Sequence, residues 1–308
     1  MNSKTMFYIV KRLLLAIVTV FVVVTVTFFA MHAIPGGPFN TDKAVSQETI
    51  DALNKLYGLD KPLFIQYLRY LGNSFIWNFG VSLKVKGADV MGLIGQSLPY
   101  SLITGLSAAA LAIILGIVLG STAALKHNKI ADRIIMVGST ASVAMPSFVI
   151  ASLLVWLFAD TLGWIKIGSD SWTVYILPII TIALSPMCYI TRLTRSSTLD
   201  VLGADYIRTA KAKGVSRKKI LFKHALRNSL TPVITYAGPM IAYIITGSIV
   251  VEKIFAIPGL GRMFVNYITS RDYPVIMGTT VFLTFLMVIM VLVSDILYKV
   301  VNPRVDFD

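Results

Sequence analysis

Six stretches of this chain run for 21 residues or more without one Asp, Glu, Lys or Arg. They are Leu13–Ile34, Val90–Leu125, Ile134–Ala159, Ser171–Thr191, Asn228–Val251 and Tyr273–Ser294. The hydrocarbon layer of a bilayer is about 30 Å thick, and roughly 20 apolar residues in a helix cross it. Lipid offers the backbone no hydrogen-bond partner, so the crossing segments must be helices that satisfy their own polar groups. A hydrophobic share of 56% with 14% charged residues fits the same class. The expected fold is an all-α integral membrane protein with six transmembrane helices. Val90–Leu125 is too long for one simple span, and its first part, through Ser97-Leu98-Pro99, is expected to lie outside the bilayer.

Six crossings put both termini on one side, and charge says which. With both termini inside, the inner segments hold 18 of the 28 basic residues against five acids, and the outer segments hold ten against nine. Nearly all of the net charge of +13 is then cytoplasmic, as the positive-inside tendency requires. The same topology explains the pI near 9.8 without nucleic acid as a partner. The first apolar run exceeds the roughly 7–15 residues of a signal-peptide core, and no small-x-small site follows it, so an uncleaved first span is expected. Cys188 falls in a predicted span and reads as a buried, inert thiol.

By this reading residues 1–34 are a tail and first span, 35–96 an extracytoplasmic loop, 97–301 a five-helix core, and 302–308 a cytoplasmic tail. The loop carries helical patterns. One starts at a possible Ser46 cap and stops at Gly58; the next, Pro62–Leu71, holds large aromatic residues. Tyr67, Tyr70, Phe75 and Trp77 fit membrane-interface anchors or a docking surface for an external protein. Tyr67 and Tyr70 are the first candidates for such a contact, since Tyr gives large contact area for two torsions. Within the spans, Pro146, Pro186 and Pro239 each remove a backbone donor and are expected to kink their helices.

Between the fourth and fifth windows lies Arg192–Arg227, with ten Lys and Arg residues against Asp200 and Asp205. In Ala204–Gly214, Tyr206, Ile207 and Ala210 are expected on one apolar face with basic residues around it. Gly214 suits the left-handed end of that helix, and Ser216 the start of a second. The second would carry Arg217, Lys218 and Lys219 at the positive end of its dipole. That local conflict calls for an external acceptor, either lipid phosphates or acidic groups on a partner.

The stretch RTAKAKGVSRKKILFKHALRNSLTP (Arg208–Pro232) resembles the cytoplasmic "EAA" loop of bacterial ABC importer permeases. Gly214 matches the loop glycine and Ala210 one of the alanines, while Arg208 stands where the general signature has glutamate. This variant is similar to that of the oligopeptide, dipeptide and nickel group. So are Arg12–Phe39, Gly58–Asn73, Val251–Ile276 and Asp295–Val305. The resemblance implies a type I ABC importer permease fold, with the outer loop between helices 1 and 2. It implies as partners a second homologous permease, two cytoplasmic ABC ATPases and an extracytoplasmic substrate-binding protein, all at the bacterial cell membrane. Residues 192–229 would be the coupling loop. Ala204, Tyr206, Ile207, Arg208, Ala210, Gly214, Arg217 and Lys218 would couple to an ATPase. Peptides are the implied cargo, with nickel or another small solute as the alternative.

Glu252, at the outer end of the fifth window, reads either as an interfacial ion pair or as an outer-gate or binding-protein contact. Asp295 follows the last apolar run and reads as structural or functional. No Walker A loop, HExxH, paired metal cysteines or GxSxG is present, and the three histidines lie far apart. No catalytic, cofactor-binding or metal-binding residue is therefore expected. The rival class is an ion-coupled secondary transporter, which would need ionisable residues within its spans.

Overall fold

The computed structural model describes residues 3–34, 55, 58–168, 171–216, 219–220 and 225–301. Helix α1 (Ser3–Ala33) opens the chain, followed by α2 (Leu63–Phe75) and the 36-residue α3 (Val90–Leu125). Next come α4 (Ile130–Ala144), α5 (Ser147–Leu154) with a π-helical turn over Val155–Thr161, and α6 (Ile176–Leu202). The short α7 (Asp205–Ala212) and α8 (Leu226–Ser229) precede α9 (Thr231–Ile245). The chain ends in α10 (Ile249–Ile254), α11 (Leu260–Thr269) and α12 (Tyr273–Val301). Among the described residues there is no strand beyond an isolated bridge of Val81 with Asp89.

Among the described residues four helices are long and apolar enough to cross a membrane, and a fifth crossing exists if α4 and α5 form one broken span. The third apolar window is thus not a gently kinked helix. Met145 has extended backbone, as the residue before a proline prefers, and the chain turns by 103° at Pro146. The fifth window is also divided. Helix α9 has 15 residues and stops at Thr246, and Gly247 (φ +96°) turns the chain into α10. Pro186 and Pro239 sit within α6 and α9, each of which continues past its proline. Helix α3 starts at Val90 and continues through Pro99; at 1.5 Å per residue it is longer than the bilayer is thick.

The chain divides into two compact units, residues 1–99 with 258–288, and residues 100–257 with 289–308. In the first, Val24, Phe79, Val90, Ile94, Leu260, Met263, Val275 and Val281 form the core. Its connector is fastened at Asp272, a fully buried residue after the left-handed Arg271. The Asp272 carboxylate accepts from Ser82 Oγ (2.5 Å) and from the backbone N–H groups of Leu83 and Lys84 (3.2 Å each).

In the second unit, Ala108, Ala109, Ala112, Ala183, Ile190, Val233, Met240 and Ile244 form a core between α3, α6 and α9. Helices α3 and α6 approach at Gly116 and Gly120. A Cβ at Gly120 would come within 2.5 Å of the Thr191 carbonyl oxygen, so only glycine permits this approach. A second cluster joins Ala151, Val174, Leu177, Val251, Phe255 and Ile257, and Cys188 is buried in α6.

Candidate functional site

The segment of interest begins where α6 ends. Gly203 and Ala204 are the only residues between α6 and α7, and the Ala204 carbonyl accepts from Ile207 N (3.0 Å) and Arg208 N (3.2 Å). At the far end, Gly214 has φ +75° and Val215 N–H reaches back to the Ala210 carbonyl (3.2 Å). That six-to-one bond with a left-handed glycine is a Schellman end, which stops the helix and turns the chain sharply. Beneath α7, Ile207 is fully buried against Ile220 and Ala225, with Val201, Leu202, Ala210, Val215 and Leu226 around them. Helix α7 therefore rests on its own apolar support.

Tyr206 departs from the sequence expectation. At 100° per residue it cannot share the face of its neighbour Ile207, whereas Ala210, three residues on, can. Tyr206 is exposed and its Oη accepts from Asn228 Nδ2 (3.0 Å). Of these three, Ile207 and Ala210 point inward. Arg208 forms an exposed pair with Asp205 (3.4 Å), worth little in stability, so its guanidinium is open to an external acceptor. Arg217 and Lys218 lie outside the described residues, as does most of the helix expected after Ser216.

Seven residues before the end of α6, Arg195 makes a contact that sequence spacing did not reveal. Its Nε and Nη2 donate to the two oxygens of Asp132 at 2.6 and 2.8 Å, a two-armed pair. Asp132 lies in the first turn of α4 and its side chain is 4% exposed. Its Oδ2 also accepts from Asn128 N (2.9 Å), where Asn128 is left-handed. His127 Nδ1 lies 3.1 Å from Arg195 Nη2. One turn on, Ser197 Oγ donates to the Ser229 carbonyl (2.6 Å) and Thr198 Oγ1 to Ser229 Oγ (3.2 Å).

On the flank of the same helix pair, α6 and α9 border a groove of about 540 Å³. Tyr189 and Tyr236 stand at its wall with ring centroids 4.3 Å apart, beside Thr231, Thr235 and Pro239. No signal in the sequence singled out this tyrosine pair, because its members lie 47 positions apart.

Of the remaining candidates, Tyr67 and Tyr70 are placed differently from expectation. Tyr67 is buried: its ring stacks on Phe29 (5.5 Å) and its hydroxyl bonds that of Thr25 (2.8 Å). Tyr70 stacks on Phe28 (5.7 Å) and donates to the Met277 carbonyl (3.3 Å). Burial pushes its phenol above the ordinary value, and a hydrogen bond with Ser74 acts the other way. Both rings fasten α2 within their own unit, so neither is an outward contact; the large apolar residues that α2 exposes are Leu63, Phe64, Ile65, Leu68 and Phe75. Glu252 is 2% exposed and accepts from Ser101 Oγ (2.8 Å), which makes it an interior carboxylate rather than a surface one. Asp295 is half-buried on α12.

Known proteins with the same organisation place the chain. Residues 112–307 match the family described as binding-protein-dependent transport system inner membrane component, and residues 5–101 match the N-terminal part of such membrane components. A dipeptide transport system permease protein DppB of Bacillus subtilis is 43% identical over 97% of both chains. An oligopeptide transport system permease protein OppB of Haemophilus influenzae is 41% identical over 97% of this chain and 99% of its own. A solved structure of the MetNI methionine ABC transporter, in an inward-facing conformation, superposes with a TM-score of 0.57 at 16% identity. It covers 69% of this chain and 97% of that chain, and so supports the fold. The chain is a multi-pass membrane protein with a type I importer permease fold, and it belongs to the binding-protein-dependent transport system inner membrane component family.

Proposed function

We propose that this chain is one permease subunit of an ATP-driven peptide importer in a bacterial cell membrane. It pairs with a second, homologous permease, receives cargo from an extracytoplasmic binding protein, and is driven by two cytoplasmic ABC ATPases. Peptide cargo is supported by the names of the relatives, identical at about 40% over nearly their whole length. Both termini are cytoplasmic, α9 serves as the fifth of six crossings, and residues 35–96 face outward, as the charge asymmetry favours.

The observation that carries the mechanism is α7, a short helix ended by a left-handed glycine and seated on a private apolar support. Its outer side presents Tyr206 and Arg208 to an ATPase groove, with Ala204 opening the helix and Ile207 and Ala210 holding it from below; by the resemblance, Arg217 and Lys218 contribute to the same coupling. When the ATPases close on ATP, α7 is displaced as a rigid body and switches the permease between inward-facing and outward-facing states. The groove beside Tyr189 and Tyr236 is this subunit's wall of the path, and Glu252, after the break at Gly247, belongs to the outer gate.

Gly214→Val tests this reading, because a β-branched residue at a φ of +75° is strained in any surroundings. The variant should insert into the membrane as the parent does and lose ATP-dependent peptide uptake. Normal uptake would remove the coupling role of α7. Topology is tested by cysteine labelling in a Cys188→Ala background: positions Lys86 and Ser270 should react from outside and Lys213 should not.

A further inference from the structure

The end of α6 that feeds α7 is fastened to the rest of its unit in an unusual way. At this level α6 meets α3 and α8 through small polar residues, its own and theirs. Thr191, Thr194, Thr198 and Ser229 are fully buried, and Ser121 nearly so. Ser121 Oγ and Thr194 Oγ1 have no hydrogen-bond partner among the described residues. Such a layer lets the backbones approach closely, as at Gly120 against Thr191 and Thr194, but contains no charged pair of its own. The apolar clusters lie elsewhere, one between α3, α6 and α9 and one under α7.

The Asp132–Arg195 pair spans this layer. Because both guanidinium arms engage both carboxylate oxygens, it fixes orientation as well as distance. Asp132 simultaneously holds the turn that leaves α3, through Asn128 N–H, and stands in the first turn of α4. One carboxylate therefore gathers the ends of α3, α4 and α6. Arg195 is seven residues from the end of α6, about 10 Å along the axis. Below it, Val201 and Leu202 are packed on Ile207 of α7. A push on α7 reaches Arg195 through continuous helix and core, and reaches α3 and α4 through the fork.

We propose that Asp132 and Arg195 are positioning residues for energy coupling, making α7, the end of α6 and the α3–α4 turn move as one block when the ATPases act. This rests on the transport reading above, which names α7 as the driven element but not what carries its movement onward. Without the fork, α7 would still be gripped and ATP still hydrolysed, while α6 slipped against α3 and α4 and the path failed to switch. His127, near the outer arm of Arg195 and 3.5 Å from Asp132 Oδ2, is more exposed than either.

The test uses the whole complex in proteoliposomes, measuring peptide uptake and ATP hydrolysis together. Asp132→Asn should assemble, keep hydrolysis stimulated by loaded binding protein, and lower the peptide taken up per ATP by about fivefold or more, the lower end of ordinary coupling strengths. A purely structural role would lower the yield of complex but leave that ratio in the surviving molecules unchanged, and this result would overturn the proposal. If Asp132→Asn does not assemble, Arg195→Lys carries the test with the same readout, because it keeps the charge and removes the fork. Failure of both variants to assemble would also overturn it, in favour of a plain structural clasp. Absence of ATP-dependent uptake by the parent complex would strike the transport reading itself, which separates the two failures.

Discussion

Two buried carboxylates, one in each unit, do the same geometric task by different means. Asp272 is held by Ser82 and by two backbone N–H groups of the same short loop. Asp132 is held by one backbone N–H and by the tip of a long side chain from another helix. Backbone donors cannot turn away without unfolding the loop that carries them. A two-armed guanidinium on a separate helix ties that helix to the carboxylate, so it hands movement from one helix to another instead of closing a single loop. The comparison teaches that burial of a carboxylate does not tell a fixed closure from a working joint; the identity of the donors does. Asp272 reads as closure and Asp132 as joint.

The sharpest way to break this contrast is Asp272→Ala. It strands the hydroxyl and two N–H groups that the carboxylate satisfies, and losing one side of such a buried, charge-assisted set costs about 3–5 kcal/mol. Thermal unfolding of the purified complex should show a large loss, while uptake per ATP in the surviving molecules stays at the parent value. A fall in that ratio would put Asp272 in the working path and end the distinction.

Gly120→Leu asks how much of the α3–α6 contact is carried by close approach rather than by the fork. Over-packing against the Thr191 carbonyl and Thr194 should cost about 1–3 kcal/mol. A parent-like melting temperature would mean that the helices separate freely and that the fork bears more than is inferred here. Ser82→Ala removes one of the donors around Asp272 and the acceptor for Val85 N–H (2.8 Å), and leaves the backbone pair on Asp272. It should cost about 1–2 kcal/mol, read in the same melting experiment. A loss as large as that of Asp272→Ala would show the backbone donors to be idle. The smallest effect is expected from Asn128→Gly. The donor to Asp132 there is a backbone N–H, and glycine takes a φ of +62° without strain, so stability should change by under about 1 kcal/mol. A large loss would reveal a role for the Asn128 side chain.

Legibility followed range. Four of the six apolar windows became single helices long enough to span because span length is a local property, and Gly214 adopts the left-handed turn that its place after a helix demanded. Tyr206 was misplaced because a short basic helix offers little periodicity with which to set its phase. Tyr67 and Tyr70 drew notice as large aromatics in a loop, but whether a ring faces out or back onto α1 depends on Thr25 and Phe28, some forty residues earlier. The turn of 103° at Pro146 was half legible: proline announces an interruption without setting its angle.

What the sequence determined alone is the class of molecule, a helical multi-pass membrane protein. Length, hydropathy and the placement of Lys and Arg act residue by residue against lipid and water, and need no neighbour to be evaluated. What only the tertiary structure decided is which polar groups meet. Asp132 stands beside Lys129 and Arg133 in the chain, yet its partner is Arg195, 63 positions away. Packing chose that pair, because the close approach of α3 and α6 at Gly116 and Gly120 brings one helix end to the other, and a buried carboxylate must take the cation that arrives.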